Sequence, residues 1–80
     1  MPAFQFKFID GINGHKTQEL AKSLGLSQHG MSELWETETS FNGWKIVGHG
    51  DVVVVHQGIK EVLKEKEFLN IEDKYKRFNF

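Results

Sequence analysis

Thr17-Gln18-Glu19-Leu20-Ala21-Lys22-Ser23-Leu24-Gly25-Leu26-Ser27-Gln28-His29-Gly30-Met31-Ser32-Glu33-Leu34-Trp35 is the stretch on which the reading of the fold turns. Thr17 can cap a helix, and Leu20, Ala21 and Leu24 follow on one face at helical spacing. Gly25 suits a left-handed C-cap, because it lacks the Cβ that disfavours that conformation. Leu26 reads as a buried turn residue. Ser27 can cap a second helix, with Met31, Leu34 and Trp35 turned inward at three- and four-residue steps. A steep crossing of two helices asks for a small residue at the contact, a Gly at the turn and apolar anchors beyond it. Ala21, Gly25, Leu26, Ser27, Met31 and Leu34 meet those requirements, so the spacing predicts a helix-turn-helix. Both helices are too short to stand alone and must pack on each other and on a neighbouring element.

Upstream, Phe4, Phe6 and Phe8 alternate with Gln5 and Lys7, which predicts a strand with one buried face. Asp10-Gly11 and Asn13-Gly14 mark turns. Downstream, Thr37 to Gly43 reads as a loop, and Trp44 to Val47 as a strand. Gly48-His49-Gly50-Asp51 reads as a turn, and the β-branched run Val52 to Val55 as a second strand. These two strands predict a hairpin. Ile59, Val62 and Leu63 at i, i+3 and i+4, among alternating Lys and Glu, predict an amphipathic helix ending near Phe68 or Leu69. Asn70 can cap a further turn holding Ile71 and Tyr75. The expected fold is α+β and winged-helix-like: N-terminal strand, helix-turn-helix, β-hairpin as a wing, C-terminal helix. Its expected core is Phe6, Phe8, Leu20, Leu24, Leu26, Met31, Leu34, Trp44, Ile46 and Val54, with Trp35 also inward.

With 80 residues and no cysteine, the chain is expected to form a single domain, residues 1–80, held by apolar burial alone. Seven Phe, two Trp and one Tyr supply that burial. The N-terminus lacks the basic and continuous apolar segments of a signal peptide, and the longest wholly apolar run is Val52 to Val55. A cytoplasmic protein without a membrane partner is the expectation. Net charge is −1, which is unusual for a dedicated nucleic-acid binder. Residues 1–40 hold three Lys against five acids, whereas residues 41–80 hold seven basic groups against six acids. Any positive surface belongs to the second half.

Four histidines raise the question of a metal. His49, Asp51 and His56 would approach one another across the expected hairpin, but no Cys or further close His completes a ligand set. No Ser, Cys or paired carboxylate is placed for nucleophilic or acid–base work. Gly48 and Gly50 lack the following Lys-Ser/Thr helix of a phosphate loop. The chain is therefore expected to be non-catalytic, with no metal and no cofactor.

Phe8-Ile9-Asp10-Gly11, Gln18 to Ser27, Met31-Ser32-Glu33-Leu34 and Gly43-Trp44-Lys45 together resemble a family. It is that of the small helix-turn-helix DNA-binding modules associated with phage and intron-encoded homing endonucleases. The resemblance spans residues 8–45. It implies that the second helix enters the major groove of double-stranded DNA, with Gln28, His29, Ser32 and Glu33 toward the bases. The basic residues Lys45, Lys74, Lys76 and Arg77 would meet phosphate. The sequence departs from that family where its members carry Lys or Arg between the second helix and the Gly-aromatic pair. Here no Lys or Arg lies between Lys22 and Lys45, and Glu33, Glu36 and Glu38 fall in that interval. Carboxylates at a docking surface oppose phosphate binding.

Two functions follow as expectations. One is a small regulatory or accessory DNA-binding module, phage-related. The other is a small phage-type protein that binds and inhibits or redirects a host protein, docking Glu33, Glu36 and Glu38 onto a basic surface. A homodimer joined through Val52–Val55 follows if that strand lies at a sheet edge, and a monomer if it does not.

Overall fold

Residues 2–28, 34–71 and 77–78 are described by the computed structural model. The order is β1 (Pro2–Gln5), α1 (His15–Ser23), β2 (Trp35–Thr39), β3 (Gly43–Val47), β4 (Val52–His56), β5 (Ile59–Leu63), α2 (Glu65–Leu69) and β6 (Arg77–Phe78). The strands make a four-stranded sheet ordered β5-β4-β1-β6 and a two-stranded sheet of β2 and β3. All pairings are antiparallel except that of β1 with β6. This mostly antiparallel β architecture with two short helices replaces the expected winged helix.

The first half of the helix-turn-helix reading is present, but it serves another purpose. α1 ends in a Schellman cap: the Leu26 N–H donates to Ala21 O at 2.9 Å and the Gly25 N–H to Lys22 O at 3.1 Å. Gly25 takes the required positive φ of 75°. Ala21 and Leu26 then meet in the core, the apolar contact that accompanies this cap. A small residue, a glycine and a leucine at these offsets stop a helix equally well whether or not another follows. Here the chain turns into β structure. Ser27 exchanges two backbone bonds of 2.9 Å with Glu36, and Trp35 opens β2. The segment expected as a second helix is thus bounded by strand pairing at both ends, and its residues 29–33, Met31 included, lie outside the described residues. Thr17 does not cap α1 from outside. It is buried within the first turn, where the Asp10 carboxylate accepts the Lys16 and Thr17 N–H groups at 2.9 and 3.0 Å.

The wing is also corrected. β3 pairs with β2 rather than with β4, from Trp35 opposite Val47 to Thr39 opposite Gly43. Gly48 to Asp51 is a corner between the sheets, fastened to β1's continuation by Gly50 N–H to Phe6 O at 2.7 Å and Phe6 N–H to Asp51 O at 2.9 Å. β4 instead pairs β1 on one side and β5 on the other, so Val52–Val55 is internal to the sheet and bonds within the chain. Val53 faces a core of Phe6, Ala21, Leu26, Trp35, Val47 and Val62, while Val52 and Val54 face Ala3 and Phe68. A strand covered on both faces needs an unbroken apolar run, which explains the consecutive Val52, Val53 and Val54, while Val55 at the end of the run is exposed.

The expected helix from Ile59 is largely a strand. Gln57 and Gly58 both take positive φ, 49° and 78°, the requirement of a two-residue hairpin turn whose twist matches its strands. β5 folds back on β4 from that turn, and only Glu65–Leu69 is helical. Of the expected core, Phe6, Leu26 and Val54 are buried, and Phe8, Leu20 and Leu24 pack partly against it. Leu34, Trp44 and Ile46 are exposed. No helix among the described residues is long and apolar enough to cross a membrane.

Candidate functional site

β2 and β3 present two unlike faces, because successive side chains on a strand point to opposite sides. Trp35, Thr37, Thr39 and Val47 are buried inward. The Trp35 ring packs edge-on to Phe6, centroids 6.2 Å apart, and its Nε1–H donates to Ile12 O at 2.8 Å. The register places Glu36 beside Ile46 and Glu38 beside Trp44 on the other face. Trp44 and Ile46 are 54% and 55% exposed there, and Phe41, in the loop joining the strands, is 75% exposed. The outward positions of this hairpin thus combine two carboxylates, two large apolar side chains and no Lys or Arg. A Trp set on a surface leaves exposed apolar area that a core would have recovered.

Lys45 points to the inner face and is spoken for. Its Nζ sits 3.0 Å from Glu61 Oε1 and donates to Val62 O at 3.3 Å. Glu61 also accepts from Asn42 Nδ2 at 2.8 Å and from the Val62 N–H at 3.0 Å. Burial alone would raise the Glu61 pKa, but Lys45 and these donors outweigh it and hold the carboxyl below its usual range. Gln28 donates through Nε2 to Asn13 Oδ1 at 2.8 Å. His29, Ser32, Glu33, Lys74 and Lys76 lie outside the described residues. The Arg77 backbone is in β6, at the far edge of the four-stranded sheet from β5. Within the described residues, the structure therefore brings together Glu36 and Glu38 of the acidic set. Of the residues expected to face DNA bases, only Gln28 is among the described residues.

The histidine cluster does not form either. His49 Nδ1 accepts the Phe8 N–H at 2.9 Å, with its ring 5.5 Å from that of Phe8. Asp51 is buried, accepting from the Gly48 N–H at 2.8 Å and from Lys64 Nζ at 2.9 Å. Among the described residues no three His, Cys, Asp or Glu side chains are grouped to hold a metal.

A groove of about 620 Å³ opens between the end of α1 and the sheet, lined by Phe4, Leu20, Leu24, Val55 and Lys60 among others. Its cation closes the helix: Lys60 Nζ donates to Leu24 O at 2.9 Å and reaches Gly25 O at 3.5 Å. Burial holds the Lys60 pKa below the usual lysine value. Among the described residues the groove is lined by no polar side chain other than Ser23 and Lys60, so the hairpin face is the better-built candidate.

Trp44 and Ile46 were both expected in the core, and their outward position is what sequence reasoning missed. The available signal was Trp35-Glu36-Thr37-Glu38-Thr39, whose strict alternation predicts a strand with one acidic face. Pairing that strand with its sequence neighbour sends Trp44 and Ile46 to the acidic side. No protein-family model, curated protein or solved structure matches this chain, so the comparisons add nothing to the resemblance drawn from residues 8–45.

Proposed function

We propose that this chain is a protein-binding module that docks the outer face of the β2–β3 hairpin onto a basic surface of a partner protein, in the manner of a small phage-type protein that inhibits or redirects its host target. The observation that carries this reading is the shared face of Glu36, Glu38, Trp44 and Ile46. Interface cores are enriched in Trp and other large apolar groups, and flanking charge selects the partner's sign and speeds encounter. An arginine-rich surface satisfies both halves, since guanidinium pairs with carboxylate and stacks on indole. The DNA-binding alternative leans on a recognition helix between Ser27 and Trp35; there Ser27 pairs with Glu36, Trp35 opens β2, and residues 29–33 lie outside the described residues.

Calorimetric titration at low salt tests this directly, using an arginine-rich peptide and, separately, a mixed-sequence DNA duplex. The expected result is salt-sensitive heat with the peptide, none with the duplex, and loss of peptide binding in the Glu36→Lys/Glu38→Lys variant. Peptide binding that the charge reversal leaves intact, or saturable binding of the duplex, would overturn it.

A further inference from the structure

The groove between the end of α1 and the sheet holds a cation without a counter-ion. Phe4, Leu20, Leu24 and Val55 form its apolar walls, and Ser23 and Lys60 are the polar side chains in its lining. The Ser23 hydroxyl is already used, donating to Leu20 O at 2.7 Å. Lys60 stands directly opposite Val55 in the β4–β5 ladder, so both side chains lie on the groove side of the sheet. A lysine ammonium has three N–H groups to give. Leu24 O takes one at 2.9 Å, and Gly25 O is reached at 3.5 Å. Gly25 makes room for this, since a Cβ there would stand 2.9 Å from Nζ. Both acceptors are neutral carbonyls, and among the described residues no carboxylate lies within ion-pair distance of Nζ. Burial therefore holds the Lys60 pKa below the usual lysine value with nothing to offset it. The groove's volume of about 620 Å³ is that of a small-molecule site, and such sites are mostly apolar with few fixed polar groups.

We propose that this groove binds a single-chain aliphatic carboxylate, a ligand of the fatty-acid type, with its tail along Phe4, Leu20, Leu24 and Val55 and its headgroup on the Lys60 ammonium. Charge complementarity selects the headgroup, because the unspent donor in the groove belongs to a cation. A carboxylate suits one ammonium better than a phosphate, which presents three strong acceptor oxygens. The rest of the lining selects the tail. A peptide would bring backbone amides that neither Ser23 nor the apolar walls can satisfy, at a cost for each. A hydrocarbon chain carries no such groups and gains by leaving water. The site is separate from the hairpin face, and neither depends on the other.

The test uses the whole chain, labelled with nitrogen-15, titrated with decanoate below the concentration at which it aggregates and, in parallel, with decan-1-ol. The expected decanoate shifts centre on Leu20, Leu24, Val55 and Lys60. Loss of the charge-assisted bond predicts that the alcohol binds about tenfold more weakly. The Lys60 ammonium should also titrate at higher pH in the decanoate complex, because an anion beside it favours the charged form. A purely apolar association would leave that titration where it was. Val55→Glu keeps Lys60 and its helix contacts and sets a carboxylate directly opposite it. That variant should hold the native spectrum and weaken decanoate by about tenfold, whereas Val55→Gln should retain it. Equal affinity for decanol and decanoate would overturn the proposal, as would undiminished binding by Val55→Glu or shifts centred on Trp44 and Ile46. A parent chain that binds no decanoate overturns it too, and leaves the hairpin reading untouched.

Discussion

The β2–β3 and β4–β5 hairpins are built from similar lengths of chain and buried to different extents. β4–β5 is sandwiched, with Val53 and Val62 against one core and Val52 and Val54 against the other, and its outer edge is sealed by Ser40, Lys45 and Glu61. β2–β3 is half buried: Trp35 and Val47 hold it to the core, while Trp44 and Ile46 stand in solvent beside two carboxylates. A small chain without disulfides has little apolar area to spare. Leaving an indole and an isoleucine outside the core therefore separates the residues that fill the core from those that shape the surface.

That separation breaks most visibly at Phe6, which is fully buried and meets both Phe8 and Trp35 edge-on. Phe6→Ala should destabilise the protein by about 3–5 kcal/mol, measured as a shift of the urea midpoint. Sealing of the β5 edge is worth less. Glu61→Ala removes the acceptor shared by Lys45, Asn42 and the Val62 N–H, and should cost about 1 kcal/mol in the same assay, with the cost shrinking in high salt.

The Asp10 carboxylate gives a pH-dependent probe of the buried side. The N–H groups of Lys16, then of Thr17, hold its pKa below the ordinary 3.8. Because the folded value is the depressed one, its contribution is fully present above the unfolded pKa and disappears as pH falls through the folded value. Asp10→Asn should thus melt at a lower temperature than the parent at neutral pH, and the difference should close in acid below the ordinary carboxylate range. A difference that persisted there would mean that the helix cap does not depend on the carboxylate's charge. The smallest effect is expected on the exposed face. Trp44→Ala should change stability by no more than about 0.5–1 kcal/mol while sharply weakening partner binding. A loss comparable to that of Phe6→Ala would place Trp44 in the fold rather than in the interface.

Parts of this arrangement were legible in the chain. The aromatic alternation at Phe4 and Phe6, the helix through Leu20 and Leu24, the stop at Gly25 and the valine strand are all local patterns, and local physics decided them. Ala21-Gly25-Leu26 misled because a Schellman cap and a helix-turn-helix corner ask for the same residue types, and only the pairing of Ser27 with Glu36 distinguishes them. Ile59, Val62 and Leu63 sit at helical spacing, yet the Gln57-Gly58 turn delivers them to β4 as a strand, and the long-range ladder wins over the local period. Glu36 and Glu38 could be singled out from charge alone. Their companionship with Trp44 and Ile46 could not, because it depends on which strand pairs with which.

Mapping by amide NMR tests the central claim most directly: the chain titrated with the arginine-bearing peptide at low salt, every backbone signal followed. The account predicts that shifts concentrate on Glu36, Glu38, Trp44 and Ile46, leave Leu20, Leu24 and Lys60 beside the groove in place, and fade as salt rises. Shifts centred on the groove, with the hairpin signals unmoved, would contradict it.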